Sequence, residues 1–230
     1  KVQEARRAPA LHGHPADLTE RPGVTVEDLA LDLAQPDAAS HIASATEGFD
    51  IGLLVAAAGF GSCGEFLSQP RDDEIGMVDV NCRVVADLCH RFGGRFAHRG
   101  SGGIVLFGSL VGWQGVPGSA TYAATKAFIQ SFAEGLHAEL KPRGVDVLCC
   151  APGPVRSGFA ARAGMTMDMA DQPGDVAREA LSALGRRVTI VPGRTGRLLT
   201  WSLSPLPRSA RTAILKRIMA GMAKDRVSAN

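Results

Sequence analysis

Two side chains that can exchange a proton stand four residues apart, Tyr122 and Lys126, and Ser109 lies thirteen residues before the tyrosine. On a helix, residues four apart share a face, with about 5–6 Å between their Cβ atoms. We therefore expect the Lys126 ammonium beside the Tyr122 phenol, where its positive charge favours the phenolate and lowers the pKa of the tyrosine. This pair predicts a proton donor and acceptor that works near neutral pH.

The position of Ser109 distinguishes this pair from a chance match. A tyrosine and a lysine at this spacing are common on protein surfaces, and alone they predict little. Ser109, however, follows the apolar run 103–108, which has the pattern of a buried strand. A hydroxyl at the carboxyl end of a strand is well placed to hold a substrate oxygen, so the three residues together favour a catalytic site.

Length and composition restrict the class of protein. The chain has 230 residues, of which 45% are hydrophobic and 21% charged, as expected for one globular domain with a sizeable core. The net charge of +2 gives no electrostatic reason to expect nucleic acid binding. The five cysteines form no CxxC pair and no cluster with metal-ligand spacing, so we predict reduced thiols, no metal site and a cytoplasmic location. No apolar run reaches the ~20 residues that span a membrane.

Short apolar runs alternate with helical patterns along the chain. We predict strands at 24–33, 50–59, 103–107, 145–150 and 188–191. We predict helices at 36–47, at 65–99 with an interruption at Gly93 and Gly94, and at 122–140, 174–184 and 206–222. Nearly continuous apolar strands between helices are typical of a parallel sheet that is covered on both faces, so the pattern predicts an α/β fold.

In order and spacing, these motifs resemble the short-chain dehydrogenase/reductase family over about residues 24–195. The asparagine, serine, tyrosine and lysine of that family's catalytic tetrad match Asn81, Ser109, Tyr122 and Lys126. The resemblance implies a Rossmann-like doubly wound parallel sheet in a single domain over residues 1–230. It also implies an NAD(P)-dependent oxidoreductase that interconverts a carbonyl and an alcohol on a hydrophobic small molecule.

The resemblance also implies a role for each member of the tetrad. Tyr122 donates a proton to the carbonyl oxygen, and Ser109 orients that oxygen. Lys126 lowers the pKa of the tyrosine and holds the ribose hydroxyls of the cofactor. Asn81 anchors a water that relays protons toward the lysine.

Further residues match the family's cofactor contacts. The cofactor-binding residues implied in this way are Arg6, Arg7, Asp32, Gly59, Tyr122, Lys126, Pro152, Gly153 and Val155. Asp32 matches an aspartate that meets the adenine, Gly59 belongs to the turn after the next strand, and 152–155 matches the loop over the nicotinamide. Arg6 and Arg7 match the basic end of the family's second strand, where arginines pair with the 2′-phosphate of NADP. We therefore expect NADP in preference to NAD.

The start of the chain departs from the family pattern. The first strand and the glycine-rich loop that holds the pyrophosphate have no match in the sequence. Residues 1–23 are then a poorly defined N-terminal remnant, and we expect the chain to be an incomplete piece of a longer protein. The alternative is a member of this fold that has lost dinucleotide binding and acts as a non-enzymatic binding or partner protein.

Two segments late in the chain bear on substrate and partners. Residues 156–173, which include Phe159 and Met165, predict a flexible apolar cover over a hydrophobic substrate, or filler against the domain. Residues 197–230 form an apolar, basic helical tail. This tail could contact membrane lipid or form a wall of a lipophilic pocket. We favour packing against its own domain or a second subunit, and we expect a homo-oligomer.

Overall fold

The computed structural model describes residues 2–3, 25–165 and 170–223, and the chain divides into two units, 1–50 and 51–230. Arg6 and Arg7 lie outside the described residues. In the first unit, strand β1 (Val2–Gln3) pairs in parallel with β2 (Glu27–Asp28), and helix α1 spans Ala38–Ala45.

The strand predicted at 24–33 is mostly wrong. Of its described residues, only Glu27 and Asp28 form a strand. The carboxylate of Asp32 accepts a hydrogen bond from Ala34 N at 3.0 Å, and the Asp32 carbonyl accepts one from Gln35 N. An aspartate that binds the backbone two residues ahead forms a turn. Asp32 therefore starts a turn that leads to α1.

The second unit alternates strands and helices as predicted. Its strands are β3 (Leu53–Ala56), β4 (Gly102–Phe107), β5 (Val145–Cys150) and β6 (Thr189–Ile190). Its helices are α2 (Arg71–Val78), α3 (Val84–Arg99), α4 (Ala120–Leu140), α5 (Phe159–Ala163), α6 (Pro173–Ala183), α7 (Arg194–Leu203) and α8 (Arg208–Ala223). Helix α5 is absent from the sequence-based prediction, and most of α7 falls within the helical tail predicted at 197–230.

The four strands form a parallel sheet in the order β3-β4-β5-β6. Successive side chains of a strand point to opposite faces. On one face Val105 packs with Leu148 of β5 and Val176 of α6. On the other face Ile104 lies close to α3 and the end of α4. Both faces are therefore covered, and the predicted α/β Rossmann-like fold with a parallel sheet is confirmed.

Two features of the region 65–99 differ from the prediction. Helix α3 runs unbroken through Gly93 and Gly94. A Cβ on Gly93 would lie 3.3 Å from Leu140 and 3.7 Å from Ile104, so the glycine allows the helix to pack closely on these residues. A π-helical turn, Asp79–Arg83, separates α2 from α3. Such turns are rare, and helical periodicity does not reveal them.

Candidate active site

Ser109 lies directly after β4, as the sequence predicted. It caps a short 3₁₀ helix, Leu110–Trp113, by accepting a hydrogen bond from Val111 N at 3.4 Å. The next residue, Leu110, donates its N–H to the Pro152 carbonyl at 3.2 Å, which joins the loop after β4 to the loop after β5. The hydroxyl is thus held at the carboxyl edge of the sheet, close to the predicted cofactor loop.

Helix α4 carries the other two residues of the predicted trio. Tyr122 lies in its first turn and Lys126 one turn later. The 3₁₀ helix crosses α4 closely, since a Cβ on Gly112 would lie 2.9 Å from the backbone C and O of Lys126. This glycine therefore allows the serine segment to approach α4, and the Tyr122 phenol forms a hydrogen bond with the Ser109 hydroxyl.

The pKa of Tyr122 is raised in this structure, not lowered as expected from its pairing with Lys126. The Lys126 ammonium lies 5.7 Å from the centroid of the Tyr122 ring and donates a hydrogen bond to the Phe107 carbonyl at 2.7 Å. Burial raises the pKa of Tyr122 to about 12, and the hydrogen bond with Ser109 only partly opposes this effect. Burial also lowers the pKa of Lys126 to about 8. At neutral pH the phenol is therefore protonated and the lysine still charged.

Asn81 lies in the π-helical turn and is 2% exposed. Its side-chain amide donates to the Phe60 carbonyl at 2.8 Å and to Thr125 Oγ1 at 3.0 Å, and its oxygen accepts from Phe60 N at 3.1 Å. Thr125 in turn donates to the Tyr122 carbonyl at 2.8 Å. Asn81 thus ties the loop after β3 to the helix that carries Tyr122. The predicted role in holding a water stays a prediction.

The loop after β3 also packs directly on the tyrosine. A Cβ on Gly61 would lie 2.8 Å from Phe159 Cζ and 3.1 Å from two atoms of the Tyr122 ring. The Phe159 ring lies against the same tyrosine, with 5.1 Å between ring centroids. The bare backbone of Gly61 and the face of Phe159 therefore fix the plane of the phenol ring, and two sequence-distant segments do this together.

A cavity of about 700 Å³ opens in front of these residues. Ser109, Tyr122 and Lys126 line it, together with Gly59 and the loop that holds Pro152, Gly153 and Val155. Much of the remaining wall consists of apolar side chains from several elements, among them Val111, Phe159, Met165, Leu203, Leu215 and Met219. A cavity of this size is within the range of small-molecule sites, which are mostly apolar with a few polar groups.

The two helices of the C-terminal tail supply part of this wall. Leu203 comes from α7, and Leu215 and Met219 come from α8. Met219 is 7% exposed and packs with Val116 and Ala123. The tail therefore packs on its own unit, as we favoured. It also forms part of the pocket wall, which was one of the alternatives for this segment. Within the described part of the chain, no helix has the length and apolar character needed to cross a membrane.

The residues around Lys126 fit the nicotinamide ribose of a dinucleotide cofactor. Lys126 is 7% exposed and lines the cavity. Its ammonium has three N–H donors, and it donates a hydrogen bond to the Phe107 carbonyl. The ammonium can therefore donate to ribose hydroxyls as well. A Cβ on Gly59 would lie 3.7 Å from Lys126 Nζ, so the glycine leaves room beside this nitrogen.

The other predicted cofactor residues have different outcomes. Pro152, Gly153 and Val155 line the same cavity as Lys126. Asp32 belongs to the first unit, where its side chain accepts the hydrogen bond from Ala34. Its contact with the adenine stays a prediction, as does the role of the arginines at 6 and 7.

Comparisons with known proteins agree with this arrangement. The sequence model described as short chain dehydrogenase matches residues 4–168. A 7beta-hydroxysteroid dehydrogenase of Clostridium sardiniense is 29% identical over 196 residues, which cover 84% of this chain and 75% of the relative.

Two solved structures are similar along most of the chain. A short-chain dehydrogenase from Sphingobium yanoikuyae in complex with NADPH is 28% identical, with a TM-score of 0.75 and coverage of 96% of this chain and 84% of that chain. The bulky-bulky ketone specific alcohol dehydrogenase from Comamonas testosteroni is 27% identical, with a TM-score of 0.72 and coverage of 96% and 82%.

The protein belongs to the short-chain dehydrogenase family. Its predicted class of activity, an NAD(P)-dependent oxidoreductase that interconverts a carbonyl and an alcohol, is confirmed by this membership and by its relatives.

Sequence reasoning missed Gly61 and Thr125, which shape the site. It offered the tail as a pocket wall only as one alternative, and it did not single out the row Arg211, Leu215 and Met219 on α8. The four-residue spacing of that row was visible in the sequence and indicated one helix face. The partners of Gly61 and Thr125 are distant in sequence, and no local pattern indicates them.

Proposed function

We propose that the protein is an NADPH-dependent reductase of bulky apolar ketones, and that it catalyses the reverse oxidation of the corresponding secondary alcohols. One observation carries this proposal: Ser109, Tyr122 and Lys126 line the same apolar cavity, whose volume is about 700 Å³. A cavity of this size and character suits a substrate with large apolar groups on both sides of the carbonyl. The hydroxysteroid and bulky-ketone activities of two relatives support this substrate class.

The protonation states support a division of labour among the three residues. The neutral Tyr122 phenol, with its pKa raised to about 12, has a proton to donate to a carbonyl oxygen. The Ser109 hydroxyl, already hydrogen-bonded to that phenol, orients the same oxygen. Lys126 remains protonated below about pH 8 and holds the cofactor ribose. When bound, the dinucleotide supplies the hydride for reduction or accepts it for oxidation.

The bound cofactor also restores the role that we predicted for Lys126. In the structure, burial outweighs the lysine charge in its effect on the pKa of Tyr122. Lys126 and Tyr122 would hold the ribose of a bound dinucleotide, which would supply hydrogen bonds between the ammonium and the phenol, and hydrogen bonds to the charged form stabilise a phenolate. We propose that this link forms only with the dinucleotide in place.

Asn81 acts as a positioning residue in this proposal. Through Phe60 and Thr125 it holds the loop after β3 against the helix that carries the tyrosine. The loop contains Gly59 beside Lys126 and Gly61 beside the phenol ring, so a shift of this loop would change both contacts.

Cofactor preference forms a separate part of the proposal. The structural neighbour from Sphingobium yanoikuyae is in complex with NADPH, and the family resemblance aligns Arg6 and Arg7 with the basic residues that contact the 2′-phosphate. We propose that these arginines pair with the 2′-phosphate. The test compares kcat/KM for NADPH and NADH in the wild type and in the double variant Arg6→Ala/Arg7→Ala. The wild type is expected to prefer NADPH and the variant to lose that preference. A wild type that prefers NADH would contradict the assignment.

The activity itself is tested by following NADPH oxidation with a panel of ketones. We expect kcat/KM to be highest for ketones with two bulky apolar groups. It should be lowest for acetone, because acetone leaves most of the cavity empty. Turnover restricted to small polar ketones would contradict the substrate class. The absence of both turnover and thermal stabilisation by NADPH would favour the non-enzymatic alternative.

A homo-oligomer and a cytoplasmic location complete the proposal. Phe66, Leu67, Ile75 and Val78 are large exposed apolar residues that border one shallow cleft, and Leu67 is 92% exposed. Exposed apolar patches of this kind mark association surfaces. Five free, buried thiols support a reducing compartment. Sedimentation velocity of the wild type and of Leu67→Glu tests the first point, since the substitution is expected to weaken association.

A further inference from the structure

Arg211 introduces a positive charge into the wall of the otherwise largely apolar cavity. It lies near the start of α8 and is partly buried, and its Nε donates a hydrogen bond to the Leu206 carbonyl at 2.9 Å. This bond fixes one edge of the guanidinium. The two terminal nitrogens together carry four further N–H donors.

The face of α8 that holds Arg211 is the face that meets the active site. Leu215 and Met219 follow Arg211 at intervals of four residues, and all three line the cavity. Met219 and Leu215 pack with Ala123, the neighbour of Tyr122 in sequence. At a rise of about 1.5 Å per residue, Arg211 lies about 12 Å along the helix from Met219. The arginine therefore borders the cavity about two turns away from the level of the tyrosine.

The other cations of the cavity already have partners. The Lys126 ammonium donates to the Phe107 carbonyl, and the Arg162 guanidinium lies over the Phe60 ring at 4.0 Å. No carboxylate occurs among the described residues that line the cavity, and within the described part of the chain Arg211 has no acidic partner. An apolar cavity with this charge balance favours an anionic ligand.

We propose that Arg211 binds a carboxylate at the far end of an amphipathic substrate whose carbonyl group lies at Tyr122. A guanidinium presents parallel N–H donors that match the two oxygens of a carboxylate. The apolar row of Leu215 and Met219 then contacts the body of the substrate between its two polar ends. This inference rests on the proposed function, because it places the other end of the ligand at the reacting tyrosine.

The test compares two ligands that differ only in charge. The dissociation constants of dodecanoate, below its micelle concentration, and of neutral dodecanamide are measured by calorimetry on the full chain. The proteins are the wild type, Arg211→Gln, Arg211→Lys and the control Arg217→Gln, which removes an exposed arginine of the same helix that does not line the cavity. Wild type and control are expected to bind dodecanoate roughly 10- to 100-fold more tightly than dodecanamide, as a charge-assisted hydrogen-bonded pair implies.

Arg211→Gln is expected to lose this preference for the acid while its affinity for dodecanamide is unchanged, and Arg211→Lys to keep part of the preference. Equal binding of acid and amide by the wild type, or an undiminished preference in Arg211→Gln, would overturn the assignment. A loss of NADPH affinity in Arg211→Gln would assign the arginine to the cofactor and would also overturn it. Turnover of a neutral bulky ketone by the wild type tests the proposed function separately, since that substrate has no group for Arg211.

Discussion

Replacement of Lys126 by methionine should stabilise the folded protein while it abolishes the activity. Lys126 is 7% exposed, and burial lowers its pKa from 10.5 to about 8. A buried charge without an acidic partner costs folding free energy, and in the proposed mechanism it is kept for function. A methionine of similar length fills the same space without a charge.

The magnitude follows from the change in pKa. A pKa of about 8 in place of 10.5 corresponds, at about 1.4 kcal/mol per pH unit, to about 3 kcal/mol of unfavourable free energy for the charged form in the folded state. Loss of the hydrogen bond to the Phe107 carbonyl removes about 1 kcal/mol of stabilisation. The expected gain for Lys126→Met at pH 7 is therefore about 2 kcal/mol, or roughly 4–8 °C in Tm for a chain of this size.

The pH dependence of this gain has a defined sign. Because the folded-state pKa of Lys126 lies below the unfolded value, the unfolded chain binds more protons between about pH 8 and 10.5, and wild-type stability from this group rises with pH in that window. The variant lacks the group, so its advantage is constant below pH 8 and shrinks above it. A comparison of the two proteins removes the effects of other titrating groups that they share.

The assay is urea unfolding at pH 7, 8 and 9 for the wild type, Lys126→Met and the control Lys216→Met, which removes an exposed lysine of α8. The control is expected to change the free energy of unfolding by less than about 0.5 kcal/mol at each pH. A variant less stable than the wild type at pH 7 would refute the reasoning. So would a difference between the two proteins that is the same at all three pH values.

Three further substitutions test the framework around the phenol. Asn81→Ala removes the side-chain amide that bonds the buried Phe60 N–H and carbonyl, and should destabilise the protein by about 2–4 kcal/mol in urea unfolding; a loss below 0.5 kcal/mol would contradict the positioning role. Gly61→Ala places a methyl against Phe159 and should reduce both stability, by about 1–3 kcal/mol, and kcat; unchanged kcat would show that the ring plane is not critical. Ser109→Ala should lower kcat roughly 10²-fold with little change in NADPH affinity, and equal losses of both would indicate a structural role.

The parts of the site that follow local rules were predictable from the sequence. The four-residue spacing of Tyr122 and Lys126 requires only a helix, and the position of Ser109 requires only that an apolar run end in a buried strand. Both conditions are set by neighbouring residues, and both elements occur where the patterns placed them.

The electrostatics of the same residues could not be predicted in this way. The direction of the pKa change at Tyr122 depends on burial by Phe159 of α5 and by the loop that holds Gly61, two segments far apart in the chain. Lys126 is held by the Phe107 carbonyl, nineteen residues away, and not by the phenol. Distances in sequence of this size carry no local pattern, so spacing alone gave the wrong direction for the net change in the pKa of Tyr122.

Sequence patterns left open whether the tail forms a pocket wall, meets a membrane or packs elsewhere on the protein. An amphipathic helix in the tail indicates that one face is buried but does not identify the surface that covers it. Here Leu215 and Met219 of α8 cover the pocket beside the tyrosine. The π-helical turn around Asn81 was missed for a different reason, since one extra residue in a turn leaves the apolar spacing on either side nearly intact.

The most direct test of the account is the single-turnover rate of NADPH oxidation with a bulky ketone, for the wild type and Tyr122→Phe, with both proteins saturated with NADPH. The account predicts a loss of roughly 10²–10⁴-fold in the variant, because only the proton donor is removed and the ring with its Phe159 contact is kept. NADPH affinity, measured on the same samples, should not change. A variant that reduces the ketone at nearly the wild-type rate would contradict the central claim that Tyr122 supplies the proton.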